Sequence, residues 1–132
     1  MKLVELANPD HAQMQEIRER ARIGGKAQCT RQYAAHENGQ EIGLLVLELC
    51  PDREFAFLYE IFVLKQFRDR GIGSRLLAAA EMFVKKKGYQ RMYVDAIPLE
   101  HDYSEKDLVA WYAKYGYEPR GHRPNELAKE LI

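Results

Sequence analysis

The chain has 132 residues, of which 20 are basic (Lys and Arg) and 20 acidic, so its formal net charge is zero. A protein whose main role is to coat nucleic acid usually needs a basic surplus, and this balance argues against that class. The length suits one domain covering residues 1–132, and an apolar fraction of 46% argues against disorder.

The targeting and metal-binding signals of the sequence are weak. Two cysteines are too few for a disulfide framework or a zinc site. No secretory signal follows Met1, and the longest nearly apolar stretch, residues 55–64, is far shorter than the ~20 residues of a membrane helix. We therefore expect a soluble cytoplasmic protein with no bound metal and with neither membrane nor nucleic acid as a partner.

The chain begins with features of a short strand followed by a helix. Residues 2–7 have a strand-like composition, and Asn8 and Pro9 are typical of a helix start. We expect this helix to extend as far as the two consecutive glycines at positions 24–25.

A hairpin and a buried strand come next. The Asn38-Gly39 pair favours a two-residue turn between strands at 29–36 and 41–50. The strand at 55–64 is almost continuously apolar, which is typical of a central strand covered on both faces.

The second half of the chain alternates helices and strands. Apolar residues in 71–87 recur at helical spacing, and a run of three lysines followed by Gly88 marks the end of that helix. The remaining predicted elements are a strand at 89–97 parallel to the previous one, a helix at 104–115, and short strands at 117–119 and 127–132. The order β-α-β-β-β-α-β-α-β-β predicts an α/β fold with one mixed sheet and helices on both faces.

A glycine-containing segment links the buried strand to the longest predicted helix. It consists of Arg68, Asp69, Arg70, Gly71, Ile72, Gly73 and Ser74. The first turn of a helix has unpaired backbone N–H groups and a partial positive charge, and glycines let an anion approach them. With further positive charge from Arg75, the segment predicts a diphosphate site. The two glycines alone are equally compatible with an ordinary tight helix start.

The surroundings of this segment make it more specific. The pattern Arg68-x-x-Gly71-x-Gly73 follows a strand that carries Val63, and residues 111–117 read aromatic-Tyr-x-Lys-x-Gly-Tyr. In both motifs and in element order the chain resembles the Gcn5-related N-acetyltransferase (GNAT) family from about residue 2 to its end. The resemblance implies a fold in which two central strands splay apart, and acetyl-CoA as the acyl donor.

The resemblance also implies roles for individual residues. The loop amides would hold the pyrophosphate of coenzyme A, and the backbone of Ile61, Phe62 and Val63 would pair with the pantetheine arm. An N–H near Phe62 and Val63 would face the thioester carbonyl, where negative charge develops. Tyr112 matches the family's tyrosine near the sulfur and would protonate the departing thiolate, although it could also be a packed core aromatic. Glu105 stands where the family often has Asn, which puts one cofactor hydrogen bond in doubt.

Glu60 is the candidate general base. It is the only charged residue in 56–64, where a carboxylate is costly unless paired and where burial disfavours its charged form. The alternative is a structural ion pair with a neighbouring Arg or Lys.

The segment 98–103 follows the next strand and is expected to border the acceptor site. Glu100 and Asp102 could attract a cationic amine, and His101 or Asp95 could be an alternative base. The other interpretation is a solvated loop with a helix cap.

Together these features predict an acetyl-CoA-dependent N-acetyltransferase that moves an acetyl group to a primary amine of a small molecule or protein by direct attack on the thioester. The alternative is a coenzyme A-binding sensor or regulatory module without turnover. The family resemblance also admits a homodimer. The identity of the amine acceptor does not follow from the sequence.

Overall fold

The computed structural model describes residues 1–23, 28–98 and 103–131, whose strands form one mixed sheet. The strands are β1 (Lys2–Glu5), β2 (Thr30–Glu37), β3 (Gln40–Glu48), β4 (Phe55–Val63), β5 (Arg91–Asp95), β6 (Glu118–Pro119) and β7 (Glu126–Glu130). The helices are α1 (Gln15–Ile23), α2 (Ile72–Lys86) and α3 (Glu105–Lys114), with 3₁₀ turns at Pro9–His11 and Lys65–Phe67. The predicted α/β fold is confirmed.

The sheet order is β1-β2-β3-β4-β5-β7-β6. Strands β4 and β5 are parallel and are joined by α2, whereas the other neighbouring strands are antiparallel. Within the described ranges, no helix combines the length and the apolar character that crossing a bilayer requires.

Strand β3 shows how the two faces of the sheet are covered. Successive side chains of a strand point to opposite faces. Leu44 and Val46 pack in a cluster with Ile17 of α1, whereas Leu45 lies in a second cluster with Leu76 of α2. All five are at most 1% exposed. Helices α1 and α2 therefore lie on opposite faces, as predicted.

The start of the first helix is where the sequence prediction was wrong. Asn8 accepts a hydrogen bond from the backbone N–H of Asp10 at 2.9 Å, but it caps only the short 3₁₀ turn Pro9–His11. The chain then bends, and α1 begins at Gln15. The predicted end at the paired glycines lies outside the described residues.

A distant carboxylate caps α1 instead. Glu41 of β3 is 2% exposed, and its two oxygens accept the backbone N–H groups of Gln13 at 2.7 Å and Met14 at 2.8 Å. A negative charge at a helix N-terminus is favoured by the unpaired N–H groups and by the helix dipole. These two bonds fix α1 to the sheet and so determine where its side chains lie.

The hairpin between β2 and β3 turns at the predicted residues. Asn38 has φ +54° and Gly39 has φ +77°. Two consecutive left-handed residues are what a tight two-residue hairpin turn needs, and Asn-Gly tolerates them best. This prediction is confirmed.

Strands β4 and β5 pair over only part of their length. Residues 55–58 pair with 91–94, and beyond that point β4 continues beside β3 alone. The register between β3 and β4 shifts where adjacent β3 residues pair with Leu58 and Glu60, which leaves Tyr59 as an extra residue. Such a β-bulge bends its strand. The predicted splayed strand pair is confirmed.

The bulge also changes which face the β4 side chains occupy. Leu58, before the bulge, lies in the cluster under α2, whereas Phe62, after it, lies in the cluster under α1. The Tyr59 ring lies 5.1 Å from that of Phe57, on the face opposite Leu58. Tyr59 and Glu60 therefore both project toward the α1 face.

Candidate active site: a cleft between parted strands

A cleft of about 700 Å³ opens where β4 leaves β5, bordered by the start of α2 and by α3. It brings together almost all the residues predicted for the site. Those that line it are Glu60, Ile61, Phe62, Val63, Arg68, Asp69, Gly71, Ile72, Gly73, Ser74 and Tyr112. Arg70 is not among them, and its guanidinium lies 5.9 Å from the ring of Phe67.

The start of α2 forms one wall of the cleft. Gly71 has φ +72°, a left-handed conformation that lets the chain enter the helix sharply. The first backbone bond of the helix runs from Arg75 N to Gly71 O at 3.2 Å. The N–H groups of Ile72, Gly73 and Ser74 precede it and have no acceptor within the helix. This arrangement suits an anion.

The arginines around this helix start are arranged differently from the expectation. Arg75 forms an ion pair with Glu37 and so faces β2 rather than the cleft. Arg68 donates from Nε to the carbonyl of Val63 at 2.9 Å, and its guanidinium lies 5.5 Å from the Phe62 ring. Arg68 thus ties the helix start to the end of β4.

The backbone of β4 presents alternate residues to the cleft. Leu64 N donates to Ile42 O at 2.9 Å, which sets the alternation of the β3–β4 ladder. By that alternation Phe62 bonds to β3, whereas the N–H and C=O groups of Ile61 and Val63 are directed to the side from which β5 has parted. The N–H groups of Ile61 and Val63, and not that of Phe62, are therefore directed into the cleft.

Tyr112 of α3 lines the cleft and is 5% exposed. Its ring packs edge-on against Trp111 at 5.0 Å and Tyr117 at 5.4 Å. Burial raises the pKa of its hydroxyl, so the phenol stays protonated. Within the described part of the chain, no hydrogen bond involves this hydroxyl. Glu105 does not line the cleft and accepts a hydrogen bond from Asn125 Nδ2 at 3.1 Å.

Glu60 is held by an arginine that belongs to neither sequence motif. Arg20 of α1 donates from Nε to Glu60 Oε1 at 2.7 Å, and both residues line the cleft. The Glu60 side chain is 10% exposed. The Arg20 guanidinium lies 5.2 Å from the ring of Phe62. The ion pair given as the alternative for Glu60 is therefore present.

Asp95 lines the cleft but is also engaged. Its Oδ1 accepts a hydrogen bond from Arg120 at 2.6 Å, and that guanidinium also donates to the carbonyls of Val94 at 2.8 Å and Leu127 at 2.6 Å. The segment 100–102, the other proposed source of a base, lies outside the described residues. Among the residues the structure describes, no cluster of His, Cys, Asp and Glu has the arrangement of a metal site.

Comparison with known proteins identifies the family. The model of the acetyltransferase (GNAT) domain matches residues 28–119. The chain belongs to the GNAT acetyltransferase family. An uncharacterized N-acetyltransferase of Methanocaldococcus jannaschii is 28% identical over 93 residues, which is 67% of this chain. The chain spans 39% of the length of that relative.

Solved GNAT structures share the fold. Tetrahymena GCN5 superposes with a TM-score of 0.63 at 13% identity, covering 80% of this chain and 71% of that one. The Bacillus cereus IAA acetyltransferase gives 0.63 at 18% identity, covering 98% of each chain. A GNAT acetyltransferase of Elizabethkingia anophelis with acetyl-CoA bound gives 0.57 at 23% identity, covering 89% of this chain and 83% of that one. The GNAT fold is thus shown, and the family is one of acyltransferases.

Proposed function

We propose that this GNAT domain is an acetyl-CoA-dependent N-acetyltransferase that moves an acetyl group to a primary amine of a small molecule or protein. One observation carries the proposal: a single cleft joins the glycine-containing helix start and Tyr112 to Glu60 on the α1 face. A donor and an acceptor can thus reach each other where the strands part. The acetyl-CoA bound to the Elizabethkingia relative supports the identity of the donor.

The donor side of the cleft suits coenzyme A in two respects. The free N–H groups at the start of α2 suit a pyrophosphate. The N–H and C=O groups of Ile61 can pair with the amides of a pantetheine arm, much as an added strand would, whereas the Val63 carbonyl already accepts from Arg68. Both sets of groups line the same cleft. A coenzyme A bound along this path would bring its thioester near Tyr112.

The acyl transfer needs two proton movements. Glu60, directly or through water, takes a proton from the ammonium group, and the neutral nitrogen then attacks the thioester carbonyl carbon. The Val63 N–H stabilises the oxyanion of the tetrahedral intermediate. When the C–S bond breaks, Tyr112 gives its proton to the thiolate. The nitrogen releases its second proton, which returns through water to the Tyr112 oxygen. The products are the N-acetylated amine and coenzyme A as the thiol, and Glu60 returns its proton to water.

The proposal is tested by acetyl-CoA binding and by release of free thiol with a panel of amines, polyamines, amino acids and peptides. Gly73→Glu places a carboxylate at the helix start and should abolish binding by repelling the pyrophosphate. Met82→Glu adds the same charge to α2 at a side chain that is 61% exposed and away from the cleft, and should bind normally. Equal binding by both variants would contradict the assignment of the pyrophosphate site.

One observation favours the second candidate, a coenzyme A-binding module without turnover. The Arg20–Glu60 ion pair joins α1 to the bulge of β4. Glu60 therefore has a structural role that does not require catalysis. Under this alternative the protein binds acetyl-CoA but releases no thiol above the uncatalysed rate with any amine. Measurable transfer that depends on Glu60 would exclude it.

A further inference from the structure

Half of the large apolar side chains that are exposed in the described part of the chain line the cleft. Among the described residues, six large apolar side chains are exposed, and three of them line the cleft: Tyr59 at 46%, Ile97 at 56% and Tyr103 at 48%. Single exposed apolar residues elsewhere need no explanation, but several around one concave site indicate contact with an apolar ligand. The polar parts of coenzyme A do not account for them.

Tyr59 lies on the acceptor side of the cleft. The bulge places its ring on the α1 face beside Glu60, and the ring contacts Phe57 at a centroid distance of 5.1 Å. The guanidinium of Arg120 lies 5.5 Å from Phe57 and 4.8 Å from Tyr93 and covers these two rings, which do not line the cleft. The ring that an acceptor can contact beside Glu60 is therefore that of Tyr59.

Two carboxylates among the described residues of this side are held in ion pairs. Glu60 is bound to Arg20 at 2.7 Å, and Asp95 to Arg120 at 2.6 Å. The ion-pair partner of Asp95, Arg120, covers aromatic rings on the α1 face, which shows that Asp95 lies on the same face. A second ammonium or a carboxylate on the acceptor would have to lose water here and compete with an existing ion pair, which is costly.

We propose that the acceptor is a primary amine carried on an aromatic or other apolar body with no further charge, and that Tyr59 and Ile97 determine this specificity. The inference rests on the proposed function. It names a class of substrate and two residues that select it by contact with its apolar part.

Two matched comparisons of acceptors test the inference at saturating acetyl-CoA. Phenethylamine against ethanolamine tests the apolar body, and phenethylamine against phenylalanine tests the added carboxylate. We expect kcat/KM for phenethylamine to exceed each of the others by about tenfold or more. Equal or reversed ratios, with transfer still measurable, would overturn the inference while leaving the proposed function intact.

Variants connect the preference to named side chains. Tyr59→Ser should lower the phenethylamine-to-ethanolamine ratio to near one, Tyr59→Phe should retain it because the ring remains, and Ile97→Ser should lower it partly. Met82→Ser removes an exposed apolar side chain that does not line the cleft and should leave the ratio unchanged. A ratio is independent of the fraction of folded protein. If Tyr59→Ser and Met82→Ser behave alike, the assignment of Tyr59 is wrong.

A binding measurement separates the two proposals. Saturation-transfer NMR detects phenethylamine on the protein in the presence of coenzyme A, without any turnover. If phenethylamine binds, ethanolamine does not, and Tyr59→Ser abolishes the binding, the apolar subsite is supported even if no acetyl transfer is found. Absence of binding together with absence of transfer would overturn it.

Discussion

Arg20 and Glu60 form an ion pair at 2.7 Å between α1 and the bulge of β4, although 40 residues separate them in the chain. The pair joins the helix on one face of the sheet to the strand that opens the cleft. It fixes the orientation of the Glu60 carboxylate within the cleft. In the proposed reaction this carboxylate takes up the proton of the ammonium group.

Glu60→Gln tests the base directly. Gln keeps the size of the side chain and an oxygen for Arg20 but cannot take up a proton. We expect kcat/KM for the amine to fall by about a hundredfold, as is typical when a general base is removed. The dissociation constant of acetyl-CoA, measured by calorimetry, should change little. Activity within twofold of the wild type would show that a water chain or another group serves as the base.

Tyr112→Phe tests the acid. The variant keeps the ring that packs against Trp111 and Tyr117 but removes the hydroxyl. We expect kcat to fall by about a hundredfold with acetyl-CoA. A thioester donor with a more acidic thiol should be less affected, since its thiolate leaves without a proton.

Tyr117→Phe is the matched control for the loss of a hydroxyl. The Tyr117 hydroxyl donates to Glu81 at 2.7 Å and does not line the cleft. Its removal should lower the free energy of unfolding by about 1 kcal/mol and leave kcat unchanged. Equal losses of kcat in both variants would indicate that Tyr112 acts through packing alone.

Gly43→Ala and Gly73→Ala should have opposite effects on stability. A Cβ at Gly43 would lie 2.4 Å from the backbone oxygen of Phe62, so the strands must move apart, at a cost of about 1–3 kcal/mol in the free energy of unfolding. A Cβ at Gly73 would lie 3.7 Å from the Trp111 ring, an ordinary contact, and Ala favours the helix. Urea denaturation of the two variants measures the difference. Similar stabilities would contradict the close approach of β3 and β4.

Stability should decrease at alkaline pH. Burial raises the pKa of Tyr33, which is 3% exposed, from 10.0 to about 12, and burial also raises the pKa of Tyr112 and Tyr117. Above pH 10 the unfolded chain loses these protons while the folded protein keeps them. Folding therefore becomes less favourable by about 1.4 kcal/mol per pH unit for each such tyrosine. The stabilisation from Tyr33 is complete below pH 10 and is lost as the pH rises toward 12.

Denaturant unfolding at several pH values from 8 to about 11 measures this effect. Tyr33→Phe removes one ionisable group at a buried position and should reduce the slope above pH 10. A free energy of unfolding that stays constant over this range would show that the tyrosines are not protected from ionisation by burial.

The features that could be predicted from the sequence depend on residues close together in the chain. The Asn38-Gly39 turn, the helix start at Gly71 and the cap of α3, where Ser104 Oγ accepts Asp107 N at 3.1 Å, each involve at most four consecutive residues. Local backbone preference decides such features, so the residue types alone reveal them.

The features that were missed depend on the register of the sheet. The carboxylate of Glu41 caps α1 from 28 residues away, and Arg20 meets Glu60 only because that cap fixes the position of α1. The spacing of residues along the sequence does not predict contacts between residues so far apart in the chain. The bulge at Tyr59 determines the face of the sheet on which Glu60 lies. The residues of α1 that line the cleft beside Glu60 could therefore not be predicted without knowing the position of this bulge.

That bulge consists of one inserted residue. Ala56 and Leu58 project to the α2 face, Glu60 and Phe62 to the α1 face, and Tyr59 is the residue that separates the two sets. Without it, the remaining side chains would alternate regularly along a straight strand able to pair with β5 beyond Leu58. The presence of one extra residue in β4 therefore decides whether the sheet is closed or has an opening at this point. Deletion or insertion at this position, rather than substitution, would remove or create the opening.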